Sequence, residues 1–352
     1  MKAARLYEYN EDIGTEPLKL EEVEEPKADG PLDVIVRLGG AGLCRTDLHV
    51  IEGQWAPLTG IQLPYTPGHE NAGWVEEVGS AVTNVEVGDA VIVHPLITCG
   101  LCRACRAGDD MHCEVASFPG IDTNGGFAEL LKTSARSVLK LPDGVEPKDV
   151  AAHADAGLTA YHAVKKAVPM LHPGTRAVVL GAGGLGHIGI QSLKALCATE
   201  VIVVDRSEEA LEVAKKLGAD QTVLANGSHV DMVMEMTDGK GAEVVVDFVG
   251  EKGAQADAWN MTQEAGSHFV IGYGSAVEVE TIDIISTERN IIGNLVGTYN
   301  DLAELMVLQA QGKVSLQTHT YSFDAINDAV NDLNNGRIPG GRGILIPEGA
   351  TA

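Results

Sequence analysis

Basic residues are scarce in this sequence: 25 Lys and Arg stand against 50 Asp and Glu, a formal charge of −25. Such a surface repels nucleic acid and anionic membranes, which argues against either as a partner. No stretch approaches the ~20 uninterrupted apolar residues of a membrane-spanning helix. Met1 to Asn10 lack the basic-then-apolar pattern of a secretory leader. Both absences lead to the expectation of a cytoplasmic protein. Aromatics are also few, at 4%, yet a hydrophobic total of 45% supports well-formed cores. The length of 352 residues suits about two domains. At this net charge self-repulsion weakens the compact state unless salt screens it, so the composition points to adaptation to concentrated salt.

Helical periodicity is weak up to about residue 150. Segments such as Val34–Leu38, Trp74–Val78 and Asp89–Val93 read instead as short strands broken by Gly and Pro. Asp155 to Val168 is a predicted helix, stopped by Pro169. From Arg176 onward strands and helices alternate: strands Ala177–Leu180, Val201–Val204, Val244–Val249 and Phe269–Ile271, with Ser207 as an N-cap. Alternation of this kind argues for a parallel sheet covered on both faces. Helices over Asp301–Ala310 and Asp324–Leu333 and a last strand, Gly343–Ile346, close the chain.

Only six cysteines occur, and four of them crowd into fifteen residues as Cys99-x2-Cys102-x2-Cys105-x7-Cys113. In an intracellular chain such crowding points to metal rather than disulfides. Four thiolates can surround one tetrahedral Zn²⁺ and leave no open position, which makes the site structural. An iron–sulfur cluster uses closely spaced cysteines as well. Cys197 lies on a helix and reads as a packed thiol. Gly181-Ala182-Gly183-Gly184-Leu185-Gly186 follows a strand and opens a helix, as a dinucleotide-binding loop does. Its glycines allow a tight turn and bring a pyrophosphate to the helix N-terminus. Asp205 ends the next strand, where a carboxylate accepts hydrogen bonds from the adenosine ribose and repels a 2′-phosphate. That favours NAD, while the adjacent Arg206 keeps NADP open. A second dispersed set comprises Cys44-Arg45-Thr46-Asp47-Leu48-His49 and Gly68-His69-Glu70.

Taken in order, the Cys44–His49 segment, the run from Gly68 to Val82, the four-cysteine lobe and the glycine loop resemble the zinc-containing medium-chain alcohol dehydrogenases. The resemblance extends to the terminal Gly341–Pro347 segment. It implies a β-rich, GroES-like catalytic domain over residues 1–157 and 298–352, with the structural-zinc lobe at about 95–115. Inserted in it is a Rossmann domain, a doubly wound parallel sheet, over residues 158–297, and the active site lies between the two. Two zincs per chain are implied. Cys44 and His69 match ligands of the catalytic zinc, and Glu70 matches a glutamate beside it that is an occasional ligand.

The third ligand position stands just before Gly157-Leu158-Thr159-Ala160-Tyr161, and there this chain has Asp155 where many alcohol-specific members have cysteine. Aspartate is a competent zinc ligand, and His153 is a rival donor close by. In the family the hydroxyl at Thr46 holds the substrate oxygen, and a proton passes through the cofactor ribose to the histidine at His49. An imidazole ordinarily titrates near ~6.5 and can release that proton to solvent. Asp47 and Arg342 match positions that pair near zinc and cofactor; Trp55 and Leu295 match the substrate pocket. Cys44-Arg45-Thr46-Asp47 is nearer the alcohol-specific pattern Cys-His-Thr-Asp than the Cys-Gly-Thr-Asp of many polyol dehydrogenases. Primary or secondary alcohols, with aldehydes or ketones in reverse, are therefore the expected substrates. Polyols, sugars or amino alcohols are the alternative. A NAD-binding protein that lost its chemistry is disfavoured by the intact Cys44, Thr46, His49 and His69. Relatives with the zinc lobe are dimers or tetramers, and a tetramer is expected here.

Activity is expected to require salt: at about 1 M the Debye length of ~3 Å screens the repulsion among surplus carboxylates. Transfer to dilute buffer is expected to inactivate the protein within hours, followed by activity assay and light scattering. Full activity after a day without salt would rule this out.

Overall fold

The structure, a computed structural model, describes residues 1–350. It divides into two compact units. One comprises Met1–Ala156, Thr298–Ala310 and the residues from Leu316 on; the other comprises Gly157–Gly297 and Gln311–Ser315. The short return through Gln311–Ser315 joins the second unit because Gln191 holds it. Its Nε2 donates to the Ser315 carbonyl at 2.9 Å, its Oε1 accepts from the Ser315 amide at 3.0 Å, and Val314 is fully buried. No helix among the described residues is long and apolar enough to cross a membrane.

The second unit is a doubly wound α/β sheet of six parallel strands. In spatial order they are Gln221–Leu224, Glu200–Asp205, Arg176–Leu180, Ala242–Asp247, Thr262–Val270 and Asn290–Gly293. Numbered along the chain this is 3-2-1-4-5-6, the dinucleotide-binding order. Near-continuous runs of Val, Ile and Ala form the three central strands, Glu200–Asp205, Arg176–Leu180 and Ala242–Asp247, because both faces are covered. Ala177, Val179, Val201, Val203, Val244 and Val246 pack into one core; Val178, Leu180, Ile202, Val204 and Val245 pack into the other. Ser207 caps its helix, accepting the Ala210 amide at 3.2 Å. The strand predicted over Val244–Val249 instead spans Ala242–Asp247. It stops there because Oδ1 of Asp247 accepts the amides of Val249 and Gly250, at 2.8 and 3.0 Å, and turns the chain.

The first unit is built on a mixed seven-stranded sheet. Its path runs His319–Ser322, Gly343–Ile346, Asp33–Leu43, Glu70–Val78, Ala90–Val93 and Val138–Lys140, with Leu130–Ser134 also paired to Asp33–Leu43. The long central strand is almost wholly buried. Register decides what meets at its end. Gly42 lies opposite Glu70, and Leu43 lies opposite Gly343. Cys44, His69 and Arg342, each one residue beyond those pairs, therefore converge. Gly42 is required by this approach, since an added Cβ would fall 2.1 Å from Oε2 of Glu70.

Candidate functional site

Cys44 leaves the central strand and caps the helix Arg45–Ile51, and Asp47 closes a capping box on it. Oδ2 of Asp47 accepts the Cys44 amide at 2.8 Å, while Oδ1 stands 3.1 Å from Nδ1 of His69. The carboxylate is fully buried, so both bonds are made away from water. With Nδ1–H donated to Asp47, the other ring nitrogen of His69 is free to face a metal. Nε2 makes no hydrogen bond and lies 3.4 Å from Oδ2 of Asp155. Cys44, His69, Glu70 and Asp155 each offer one donor atom, all within 4.8 Å of one another. Sulfur, imidazole nitrogen and carboxylate oxygen at that spacing fit a zinc ion.

Electrostatics around this cluster favour a cation. Burial alone would lower the His69 pKa, yet the Asp47 and Asp155 carboxylates hold it well above the ordinary imidazole value. A metal must therefore displace a proton from His69, and affinity falls as pH falls. Glu70 is fully buried; its Oε1 accepts the Ala156 amide at 3.0 Å and also the Arg342 guanidinium. Burial pushes the Glu70 carboxyl up to about 7 against the pull of Arg342. Arg342, read from the resemblance as a cofactor contact, is itself buried against Glu70. A guanidinium in that environment needs a carboxylate partner.

His153 sits in the short 3-10 helix Ala151–Ala154, fully buried, with Nε2 3.0 Å from Oε1 of Gln309. It is not part of the donor cluster. The helix predicted from Asp155 starts at Ala156, so Asp155 precedes it and joins the cluster. Thr46 and His49 stand three residues apart on one helix, both half-buried beside buried Asp47 and Leu48. Trp55 packs partly on the first unit's core, and Leu295, in the second unit, is half exposed.

The four-cysteine lobe closes on itself. Cys99, Cys102, Cys105 and Cys113 place their sulfurs within 4.8 Å, and none of the six cysteines is in a disulfide. The Cys99 sulfur accepts the amides of Leu101 and Cys102 at 3.4 and 3.3 Å, and the Cys113 sulfur accepts that of Cys99 at 3.3 Å. Amide donors from Cys105 and Glu114 lower the Cys102 thiol to about 6, whereas burial pushes Cys105 up to about 12. Four thiolates so close ionise together only around a cation. Asp110, a residue the motifs did not flag, anchors the lobe by accepting the Tyr299 amide at 3.2 Å.

In the second unit the glycine loop follows the strand Arg176–Leu180 and opens the helix Gly186–Leu196. Gly181 has φ +90°, and a Cβ on Gly186 would fall 1.8 Å from the Gly181 carbonyl oxygen. A Cβ on Gly183 would meet nothing, which leaves that side open to a phosphate. Gly184 and Leu185 are half-buried beside it, and Leu185 caps the helix with no side-chain hydrogen bond. Asp205 accepts the Ala182 amide at 2.7 Å and the Ser207 amide at 2.8 Å. It thereby holds the glycine loop beside its own strand end. Arg206 is exposed, and Cys197 is half-buried.

Comparison with known proteins agrees in both units. Residues 30–143 match the model of the alcohol dehydrogenase GroES-like domain, and residues 184–311 that of the zinc-binding dehydrogenase. A NAD-dependent alcohol dehydrogenase of Sulfurisphaera tokodaii is 35% identical over 99% of this chain and 100% of its own. A D-arabinose 1-dehydrogenase (NADP(+)) of Saccharolobus solfataricus is 35% identical over 98% and 97%. The crystal structure of the alcohol dehydrogenase of Aeropyrum pernix superposes with a TM-score of 0.94 at 46% identity, covering 99% of this chain and 100% of that one.

Purified protein is expected to carry close to two zincs. Cys102→Ser is expected to remove one of them and lower the melting temperature by more than about 5 °C, because the binding energy of a closed site is folding energy. Metal analysis and thermal scans decide it, and full occupancy with unchanged melting would count against the site.

Proposed function

We propose that this chain, which belongs to the zinc-containing medium-chain alcohol dehydrogenase family, is an NAD-dependent enzyme that oxidises primary or secondary alcohols reversibly. The observation that carries the reading is the convergence of Cys44, His69 and Asp155, with Glu70 beside them, at the end of one sheet. These side chains would hold a catalytic zinc, and the four-cysteine lobe a structural one. When bound, zinc polarises the substrate oxygen and the dinucleotide accepts hydride. The remaining work belongs to the chain. Asp47 fixes the ring orientation of His69 through Nδ1. Thr46 is the hydroxyl that orients the substrate O–H by accepting a hydrogen bond from it, and His49, on the same helix, is the base that takes up the proton and releases it to solvent. Arg342 keeps Glu70 in place beside the ligands. Trp55 is the proposed wall of the substrate pocket.

In the second unit Gly181, Gly183, Gly184, Leu185 and Gly186 receive the pyrophosphate, and Asp205 the adenosine ribose. The carboxylate at Asp205 favours NAD over NADP. A sugar reading has one specific observation in its favour, the arabinose dehydrogenase among the relatives. Absorbance at 340 nm with a panel of alcohols, polyols and aldoses, each with NAD and NADP, separates the two. Alcohols with NAD are expected to give the highest kcat/KM, and turnover confined to sugars would overturn the reading. Asp205→Gly is expected to shift cofactor preference toward NADP by tenfold or more, on the order of one charge-assisted contact. A wild type that already prefers NADP would refute the role of Asp205.

Asp155→Ala is expected to abolish turnover and release one zinc, whereas His153→Ala leaves the metal content intact. Asp155→Cys is expected to restore metal binding, since a thiolate is an equally competent ligand. Loss of zinc in His153→Ala but not in Asp155→Ala would reverse the assignment.

The protein is further proposed to act in the cytoplasm as a homotetramer. Thiol-rich metal sites with no disulfide suit a reducing compartment. The strand Asn290–Gly293 ends its sheet, and Ile282, Ile285 and Ile291 are exposed near it in the sequence, which supports self-association through that edge. Light scattering that returned a single-subunit mass in high salt would overturn the oligomer.

A further inference from the structure

Asp247 is the last residue of the strand Ala242–Asp247, next to the point where the strand order of the second unit reverses. It holds two turns at once. Oδ1 accepts the amides of Val249 and Gly250, at 2.8 and 3.0 Å. Its backbone carbonyl accepts those of Ile271 and Gly272, at 3.1 and 2.9 Å, which follow the neighbouring strand. The two turns press together, since a Cβ on Gly250 would fall 1.9 Å from the carbonyl carbon of Gly272. The first turn also abuts the glycine loop. A Cβ on Gly181 would lie 2.7 Å from Val249, and one on Gly189 would lie 2.7 Å from the Phe248 ring. The carboxylate is fully buried, and its Oδ2 makes no hydrogen bond but lies 3.8 Å from Nε2 of His268, itself fully buried.

In a sheet of this order each half of a dinucleotide lies over one half of the strands, at their carboxyl ends. Asp205 serves the adenosine half. We propose that Asp247 is the positioning residue for the nicotinamide half, shaping both turns that receive it, with His268 backing the free carboxylate oxygen. The inference rests on the reading that this unit binds NAD. It separates Asp247 from a residue that merely stabilises the fold, because the two halves of the cofactor then respond differently to its loss.

The test is isothermal titration of the zinc-loaded full chain with NAD and, separately, with AMP as a probe of the adenosine half. Asp247→Ala is expected to raise the NAD dissociation constant about tenfold or more while AMP binding stays within about twofold, the scale of one or two lost hydrogen bonds. In steady state the KM for NAD is expected to rise far more than the KM for the alcohol. Asp247→Asn, whose amide oxygen still accepts both N–H groups, is expected to restore NAD binding to within about threefold. If the alanine variant does not fold, Asp247→Ser carries the same comparison, since its hydroxyl can close one of the two bonds. Unchanged NAD affinity, or parallel loss of NAD and AMP, would overturn the proposal. A wild type that binds AMP but not NAD would remove the cofactor reading and this inference with it.

Discussion

The Asp47 carboxylate is the interaction on which the first unit's site depends. Buried away from solvent, it must be satisfied by donors on the chain, and it finds them in the Cys44 amide and the His69 ring. One side chain thus fixes the start of a helix, the backbone of one candidate ligand and the orientation of another. Glu70 and Arg342 extend the same logic one layer further, as a buried pair in which each is the other's compensation. The cost of breaking either pair is that of a stranded buried charge.

The second unit uses carboxylates in a related way. Asp205 and Asp247 each end a strand of the parallel sheet, and each accepts amides of turns at that end of the sheet, Asp205 those of Ala182 and Ser207 and Asp247 those of Val249 and Gly250. A parallel strand ends with backbone donors pointing into the crevice where ligands bind, and a carboxylate placed there selects which of them stay free. Glycine supplies the complementary freedom. At Gly42, Gly181 and Gly186 neighbouring groups approach closer than any Cβ would permit. Acidic residues in this chain therefore divide into two populations. A few are buried and paired to set geometry, and many are solvated and set the large negative charge.

Much of this was legible beforehand because it is local in sequence. The four-cysteine spacing, the glycine loop with Asp205, and the Val-rich runs of the parallel sheet each carry their constraint within a few dozen residues. Ser207 as a cap and the alternation of strand and helix were readable for the same reason. The misplaced end of the strand after Glu243 shows the limit. Phe248 and Val249 continue the apolar run, but the turn is decided by the side chain of Asp247, through a hydrogen bond that apolar pattern does not encode. The Asp47–His69 contact joins residues 22 apart and left no signal in the local pattern.

What the sequence offered alone was the inventory: four closely spaced cysteines, a glycine loop after a strand, and, through a family resemblance, Cys44, His69 and Asp155 as candidate donors. Tertiary structure decided which donors meet. Gly42 opposite Glu70 and Leu43 opposite Gly343 are matters of strand register, and a shift by one residue would turn every one of these side chains to the other face. Register likewise brings Arg342, 272 residues away in the chain, onto Glu70, while packing outside the sheet places His153 on Gln309 and Asp155 beside His69. Contacts between residues so distant along the chain are set by how the sheet packs, and no local pattern records them.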